Sequence, residues 1–359
     1  MPTLFEPYAL GPIHLSNRLV MNPMTRSRSD AAGLANSLMA QYYGQRAGAG
    51  LIITEGTAPL PDGKGYARIP GLWNQAQVES WKPVTAAAHA KGGHIFAQLM
   101  HTGRVAHPGN LPEGAQVVAP SAVAAPGQMY TDSQGLQDHP VPRALDEAGV
   151  LAAKAGYVNA ARNAVAAGFD GVELHSANGY LLEQFLNPHS NQRDDAWGGS
   201  VDKRIRFVVE TARETAAAIG AGRVGIRISP YGVNGGMLPY PEIDETYQKL
   251  AAELAKLGLA YLHIADHSGL GAPAVPDSLK ADLRKAWPGA LLIGGSFDRA
   301  SAEAAVQEGR CDLVGIGRGF LANPDLVERW KKGLPLNSPD FPTFYTPGAK
   351  GYTDYPAAV

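Results

Sequence analysis

The sequence predicts a single closed parallel α/β barrel of the (β/α)8 TIM type, and three observations carry that prediction. Eight apolar runs of strand length recur along the 359 residues. Helix-patterned segments or longer connections separate them, the rhythm of a parallel sheet covered on both faces. Polar or glycine-rich residues follow several runs directly, at the strand end where such barrels place their chemistry.

Residues 1–17 carry turn formers (Pro7, Gly11, Pro12, Asn17) between short apolar pieces and predict a small hairpin ahead of the barrel. The first three strands are expected at 18–24, 51–57 and 94–100. Between them, helices are expected over 38–47, ended by Gly48 and Gly50, and over 77–91, closed by Gly92-Gly93. Residues 101–145 break the rhythm. They are rich in Pro, Gly, Ala, Ser and Gln, and predict a long excursion with local hairpins, the usual form of a cover over a functional site. A helix over 146–167 leads into the fourth strand, 171–175, which runs into His175, Asn178 and Tyr180 and then an apolar-periodic segment through Leu186. Strands at 224–230, 261–265, 291–295 and 313–317 complete the set, alternating with helices at 204–219, 242–257, 276–287 and 299–308. No repeat or linker divides 1–359, which reads as one domain. A doubly wound open sheet would want a glycine-rich turn after its first strand, where Pro23-Met24-Thr25-Arg26 stands instead.

A net charge of −2, without a basic run, argues against a nucleic-acid or membrane-surface partner. No apolar stretch is long enough to cross a bilayer, and the first residues do not resemble an export signal, so a cytoplasmic protein is expected. One cysteine, Cys311, excludes an intrachain disulfide and a cysteine-held iron–sulfur cluster. Nothing in the pattern decides between monomer and homodimer.

The candidate chemistry starts with phosphate. The seventh strand ends in Gly294-Gly295-Ser296 and the eighth in Gly317-Arg318-Gly319. Loops after these two strands form the recurrent phosphate site of this barrel, and Arg318 adds a charged donor. Glycines that merely permit tight turns are the plainer reading. Arg227, inside the fifth strand, is costly there unless it meets an anion; an outward-facing residue paired with a helix carboxylate is the alternative. Gln98 on the third strand likewise needs partners, which the edge of a heterocycle would supply. No strand carries a lysine for Schiff-base chemistry. His263 and His267 are spaced i, i+4 on a strand-to-loop segment, which suits core and loop histidines better than a metal site. His175 and Asn178 could donate to one substrate oxygen while Tyr180 delivers a proton, although each alone could be a structural polar residue.

These residues sit in motifs that resemble a known family: HSANGYLLEQFLNPHSNQRDDAWGGSVDKRIRF, with NPMTR, TEGT, AQLMHTGR, GIRISP, GRGFLANPDL and a terminal FYTPGAKGYTDYP. In this order, over nearly the whole chain, they are similar to the Old Yellow Enzyme family of flavin-dependent ene-reductases. The resemblance implies a non-covalent FMN in the barrel and NAD(P)H as hydride donor. It implies ping-pong reduction of activated alkenes, α,β-unsaturated carbonyl or nitro compounds, through flavin N5. It places Pro23, Met24 and Thr25 along the flavin, Gly56 and Gln98 at its ring edge and Arg227 on its N1/O2 side. Gly295, Ser296, Phe297, Gly317 and Arg318 would hold the phosphate end. His175 and Asn178 would bind the substrate oxygen, Tyr180 would donate the proton, and Tyr66, Met100 and Tyr345 would wall the substrate pocket. The family often has Ala-Pro-Leu-Thr where this chain has Asn22-Pro23-Met24-Thr25, and commonly Trp at Met100, so a roomier pocket with altered facial selectivity is expected. The competing expectations are a nitrate-ester or nitroaromatic reductase on the same barrel, and a non-redox lyase or isomerase that binds a phosphate ester.

Overall fold

In a computed structural model that describes residues 2–358, the eight apolar runs form eight parallel strands that close on themselves. They are β1 (Leu19–Met21), β2 (Leu51–Ile53), β3 (Ile95–Leu99), β4 (Gly171–Ser176), β5 (Val224–Ile228), β6 (Tyr261–Ala265), β7 (Ala290–Gly294) and β8 (Leu313–Ile316). The last pairs back onto the first, with Gly315 opposite Val20, so the sheet has no open edge. Closure rules out the doubly wound alternative.

Several strands end before the apolar runs do. The β1 ladder stops at Met21; Pro23 has no N–H to give it, and Asn22 to Thr25 turn away into the barrel mouth. Eight helices fill the seven connections between the strands, two of them between β4 and β5: α1 (Ser37–Gln45), α2 (Gln75–His89), α3 (Glu147–Ala166), α4 (Leu181–Leu186), α5 (Val201–Ile219), α6 (Ile243–Ala255), α7 (Asp277–Ala286) and α8 (Arg299–Gln307). Four start on a side-chain cap, in which Asn36, Asn74, Asp146 and Asp298 accept N–H bonds of 2.8–3.2 Å. Each such cap contributes about 1 kcal/mol. After β8 come α9 (Arg318–Ala322) and α10 (Leu326–Lys332), which the sequence pattern does not announce.

The excursion holds one antiparallel hairpin, Gln128–Thr131 with Gly135–Asp138, and a short parallel pair, Val118–Ala119 with Arg143–Ala144. The expected N-terminal hairpin is Tyr8–Leu10 with Ile13–Leu15. Its Leu10 and Leu15 close the floor of the barrel, packing with Val20, Leu51, Ile53, Phe96, Tyr261, Leu292 and Leu313.

Above that floor the interior turns polar. Register puts Glu173 opposite Gln98, His175 opposite Arg227, and Arg227 opposite His263. All five side chains are buried. Strand alternation sends Glu173 and His175 to the same face, so one apolar cylinder carries a charged layer just below its mouth.

Candidate active site

Glu173 is the anionic centre of that layer. Its carboxylate accepts bonds from Gln98 Nε2 (2.8 Å), Tyr261 Oη (3.1 Å) and His263 Nδ1 (2.8 Å). Burial alone would raise its pKa, but His263, Arg227 and these bonds outweigh burial and hold it below the usual carboxylate value. Arg227 therefore has a countercharge beneath it. Its Nε nevertheless finds no hydrogen-bond partner among the described residues, and the side chain lines a cavity above.

That cavity, about 540 Å³, is built from strand-end loops. Pro23, Met24 and Thr25 come from the turn after β1, and Asp266 and His267 from the one after β6. Gly295, Ser296 and Phe297 follow β7, and Gly317 and Arg318 follow β8. At Gly295 and Gly317 an added Cβ would meet nothing closer than 3.6 Å, ordinary van der Waals contact, so neither backbone is crowded by the protein. The Arg318 guanidinium lies over the Phe341 ring, 5.1 Å from its centroid.

A second cavity of about 780 Å³ shares Thr25 and Tyr345 with the first. Tyr66 and Tyr180 line it, with Met129, Tyr130 and Leu136 from the excursion hairpin. The hydroxyls of Tyr66 and Tyr180 are 2.9 Å apart. Burial, and then the neighbouring Tyr66, push the Tyr180 phenol well above its ordinary pKa, so it keeps its proton at neutral pH. Arg68 ties the mouth together: it donates to Ser27 O (3.1 Å) and Tyr345 O (2.9 Å) and pairs with Asp132 of the hairpin turn.

His175 and Asn178 line neither cavity but touch a residue of each, Tyr180 of the second and His267 of the first. The His175 ring meets Tyr180 edge-on at 5.0 Å, and Asn178 Oδ1 bonds His267 Nε2 at 2.6 Å. The chain makes a sharp turn here, with Asn178 at φ +60° and Gly179 at φ +77°. A Cβ on Gly179 would strike Asn234 O at 2.3 Å, so glycine is required. Glu183 braces the turn. It accepts from Gly179 N (2.6 Å), Tyr247 Oη (2.7 Å) and Ser229 Oγ (2.8 Å), and Ser229 Oγ in turn accepts from Asn178 N (2.8 Å). Burial, and then the charge of Arg227, hold the His175 pKa well below its ordinary value, so it works as a neutral imidazole. Its Nε2 lies 3.5 Å from Asn178 Nδ2. With its proton on Nε2, His175 and the Asn178 amide are two donors that can both reach one acceptor oxygen.

Most of the expected site residues converge on this mouth, but five line neither cavity: His175 and Asn178, and with them Gln98, Gly56 and Met100. Gln98 turns its amide inward to Glu173. Gly56 faces Met100, whose Sδ stands 2.3 Å from where a Cβ would be. Met100, expected as a pocket wall, is 1% exposed and packs beneath Tyr66 and Tyr180. Its size therefore reaches the second cavity through the tyrosine pair. Conversely, the sequence pattern assigned no role to Glu173, Glu183 and Ser229, and marked His267 only as a loop histidine. A polar residue just past the end of a barrel strand is the signal that marks Ser229 and His267.

Among the described residues, no group of three or more His, Cys, Asp or Glu could hold a metal ion. The residues present fit a different guest. A buried arginine with an unmet N–H faces the cavity, and two bare glycine backbones and Arg318 stand across it. Fold and site together define a parallel barrel whose mouth suits an anionic cofactor. Residues 3–337 match the model of the NADH:flavin oxidoreductase / NADH oxidase family, and the chain belongs to that family. It is thus a flavin-dependent oxidoreductase. A "probable flavin mononucleotide-dependent alkene reductase" of Leishmania infantum is 41% identical over 98% of this chain and 97% of that protein. Morphinone reductase, solved in complex with tetrahydroNAD, superposes with a TM-score of 0.94 at 42% identity, covering 100% of this chain and 98% of that one. The Old Yellow Enzyme homologue of Zymomonas mobilis gives a TM-score of 0.95 at 38% identity, over 99% of both chains. The expected barrel and the expected family resemblance are both borne out.

Proposed function

We propose that this enzyme is an NAD(P)H-dependent FMN ene-reductase acting on the activated C=C bond of α,β-unsaturated carbonyl or nitro compounds. The observation that carries the reading is one strand end where a donor pair, His175 and Asn178, stands beside a protonated phenol, Tyr180. FMN would be held by Thr25, Arg227 and the Gly295–Phe297 and Gly317–Arg318 loops, and when bound it supplies hydride taken from a nicotinamide donor. The name of the Leishmania relative and the nicotinamide analogue in the morphinone reductase complex support both cofactor assignments.

In this reading the substrate oxygen accepts from His175 Nε2 and Asn178 Nδ2, which stabilise the negative charge that grows on it as Cβ receives hydride. Neutral His175 is suited to this, because it donates without giving up a full proton. Tyr180 protonates Cα, and Tyr66, bonded to the Tyr180 hydroxyl, holds that phenol in place. The apolar parts of Tyr66 and Met129 help keep water from the reacting carbons.

Anaerobic stopped-flow on Tyr180→Phe tests the assignment. Reoxidation of the reduced enzyme by 2-cyclohexenone is expected to slow about 10²–10⁴-fold, the range of a positioned acid, while reduction by nicotinamide stays near wild type. Equal impairment of both half-reactions would contradict the role given to Tyr180.

A further inference from the structure

We infer that His267 is a positioning residue that sets which end of the Asn178 carboxamide faces the substrate. The inference rests on the ene-reductase reading and adds to it a residue outside the His175–Asn178–Tyr180 set.

A carboxamide has two ends of similar shape and opposite sense: its nitrogen donates and its oxygen accepts. At a site meant to hold a substrate oxygen, only the nitrogen end is useful. Turned over, Asn178 would present its own oxygen to the substrate oxygen, and attraction would become repulsion. His175 does not choose between the two orientations. Its Nε2 lies 3.5 Å from Asn178 Nδ2, at the limit of a hydrogen bond. Nor does the backbone choose. Ser229 Oγ fixes the Asn178 N–H at 2.8 Å, and the left-handed φ of +60° fixes the direction of Cβ, but both leave the carboxamide free to turn about its last bond.

The selecting contact comes from the loop after β6, where His267 Nε2 meets Asn178 Oδ1 at 2.6 Å. An unprotonated Nε2 there would oppose two lone pairs, so the imidazole carries its proton on Nε2 and donates. The bond ties down the oxygen end and leaves Nδ2 turned to the side of His175. Losing that donor costs the orientation and leaves the carboxamide itself in place.

The test titrates oxidised, flavin-loaded enzyme with cyclohexanone, an unreactive ketone, and follows the perturbation of the flavin absorbance. His267→Phe keeps a ring and removes the donor; His267→Gln keeps a donor near the Nε2 position. His267→Phe is expected to weaken ketone binding by up to about tenfold, the worth of one net hydrogen bond. His267→Gln is expected to restore most of it. A double-mutant cycle separates this from a general effect of the loop. In an Asn178→Ala background, His267→Phe should add almost nothing. Wild-type binding in His267→Phe, no rescue by His267→Gln, or additive losses in the cycle would each overturn the inference. Failure of the ene-reductase reading is distinct, since it appears in the wild type as reduced enzyme that 2-cyclohexenone does not reoxidise.

Discussion

Glu183 lies on an apolar stretch of sequence, yet it carries the turn that presents Asn178 and Tyr180. Burial, against the pull of its three donors, raises its carboxyl from 4.5 to about 7. The folded protein thus binds this proton more tightly than the unfolded chain does. Between about pH 4.5 and 7, this group makes stability fall as pH rises, by an amount on the order of 3 kcal/mol. Glu183→Gln removes the titration. Wild type should therefore gain thermal stability relative to Glu183→Gln on going from about pH 8 to about pH 5. An unchanged difference in Tm between the two pH values would show that the three donors keep the carboxylate ionised throughout. At this scale the sequence exposed His175, Asn178, Tyr180, Arg227 and Arg318, because each breaks an apolar pattern at a strand or its end. It left the partners of His267 and Glu183 unseen. Their importance comes from contacts 89 and 46 residues away, with Asn178 and with Ser229, which no local periodicity encodes.

Among the elements, the C-terminal segment after α10 shows how buried charge can organise irregular backbone. Arg28 donates to the carbonyls of Arg26, Phe344, Thr343, Gly348 and Lys350, and Arg26 donates to those of Phe344 and Gly351. The segment has almost no helix or strand to satisfy its own carbonyls, so two arginines from the loop after β1 do so. It delivers Phe344 to the first cavity and Tyr345 to both. Arg28→Met should strand several of these carbonyls at about 1–3 kcal/mol for each that stays buried. The expected outcome is faster proteolytic cleavage within 339–355 and weaker flavin retention, read by limited proteolysis and by dilution of the holoenzyme. Protection equal to wild type would show that the stacked Tyr42 and Tyr352 rings, 4.0 Å apart, hold the segment without Arg28. Strands and long helices were legible because burial imposes a period on them. This segment, and the two short helices before it, were not, because their conformation is set by distant donors and by chain reversal.

At the scale of the whole molecule the design is a gradient. An N-terminal hairpin seals an apolar floor, a Glu173-centred charged layer sits above it, and strand-end loops enclose two adjoining cavities at the mouth. Register alone brings Gln98 and Glu173 to one level and His175, Arg227 and His263 to the next, although the five lie on four strands. The barrel's eightfold rhythm was therefore enough to foresee where chemistry would gather, but not how the two cavities divide it. That division is the central claim: one cavity for a flavin, the other for the alkene it reduces, with Thr25 and Tyr345 shared between them. Anaerobic spectroscopy of the purified enzyme tests it most directly. A yellow protein that bleaches with NADH or NADPH and regains its colour on addition of 2-cyclohexenone, forming cyclohexanone in equal amount, is the predicted result. A colourless protein that cannot be reconstituted with FMN, or a bleached one that the enone leaves bleached, would contradict the account.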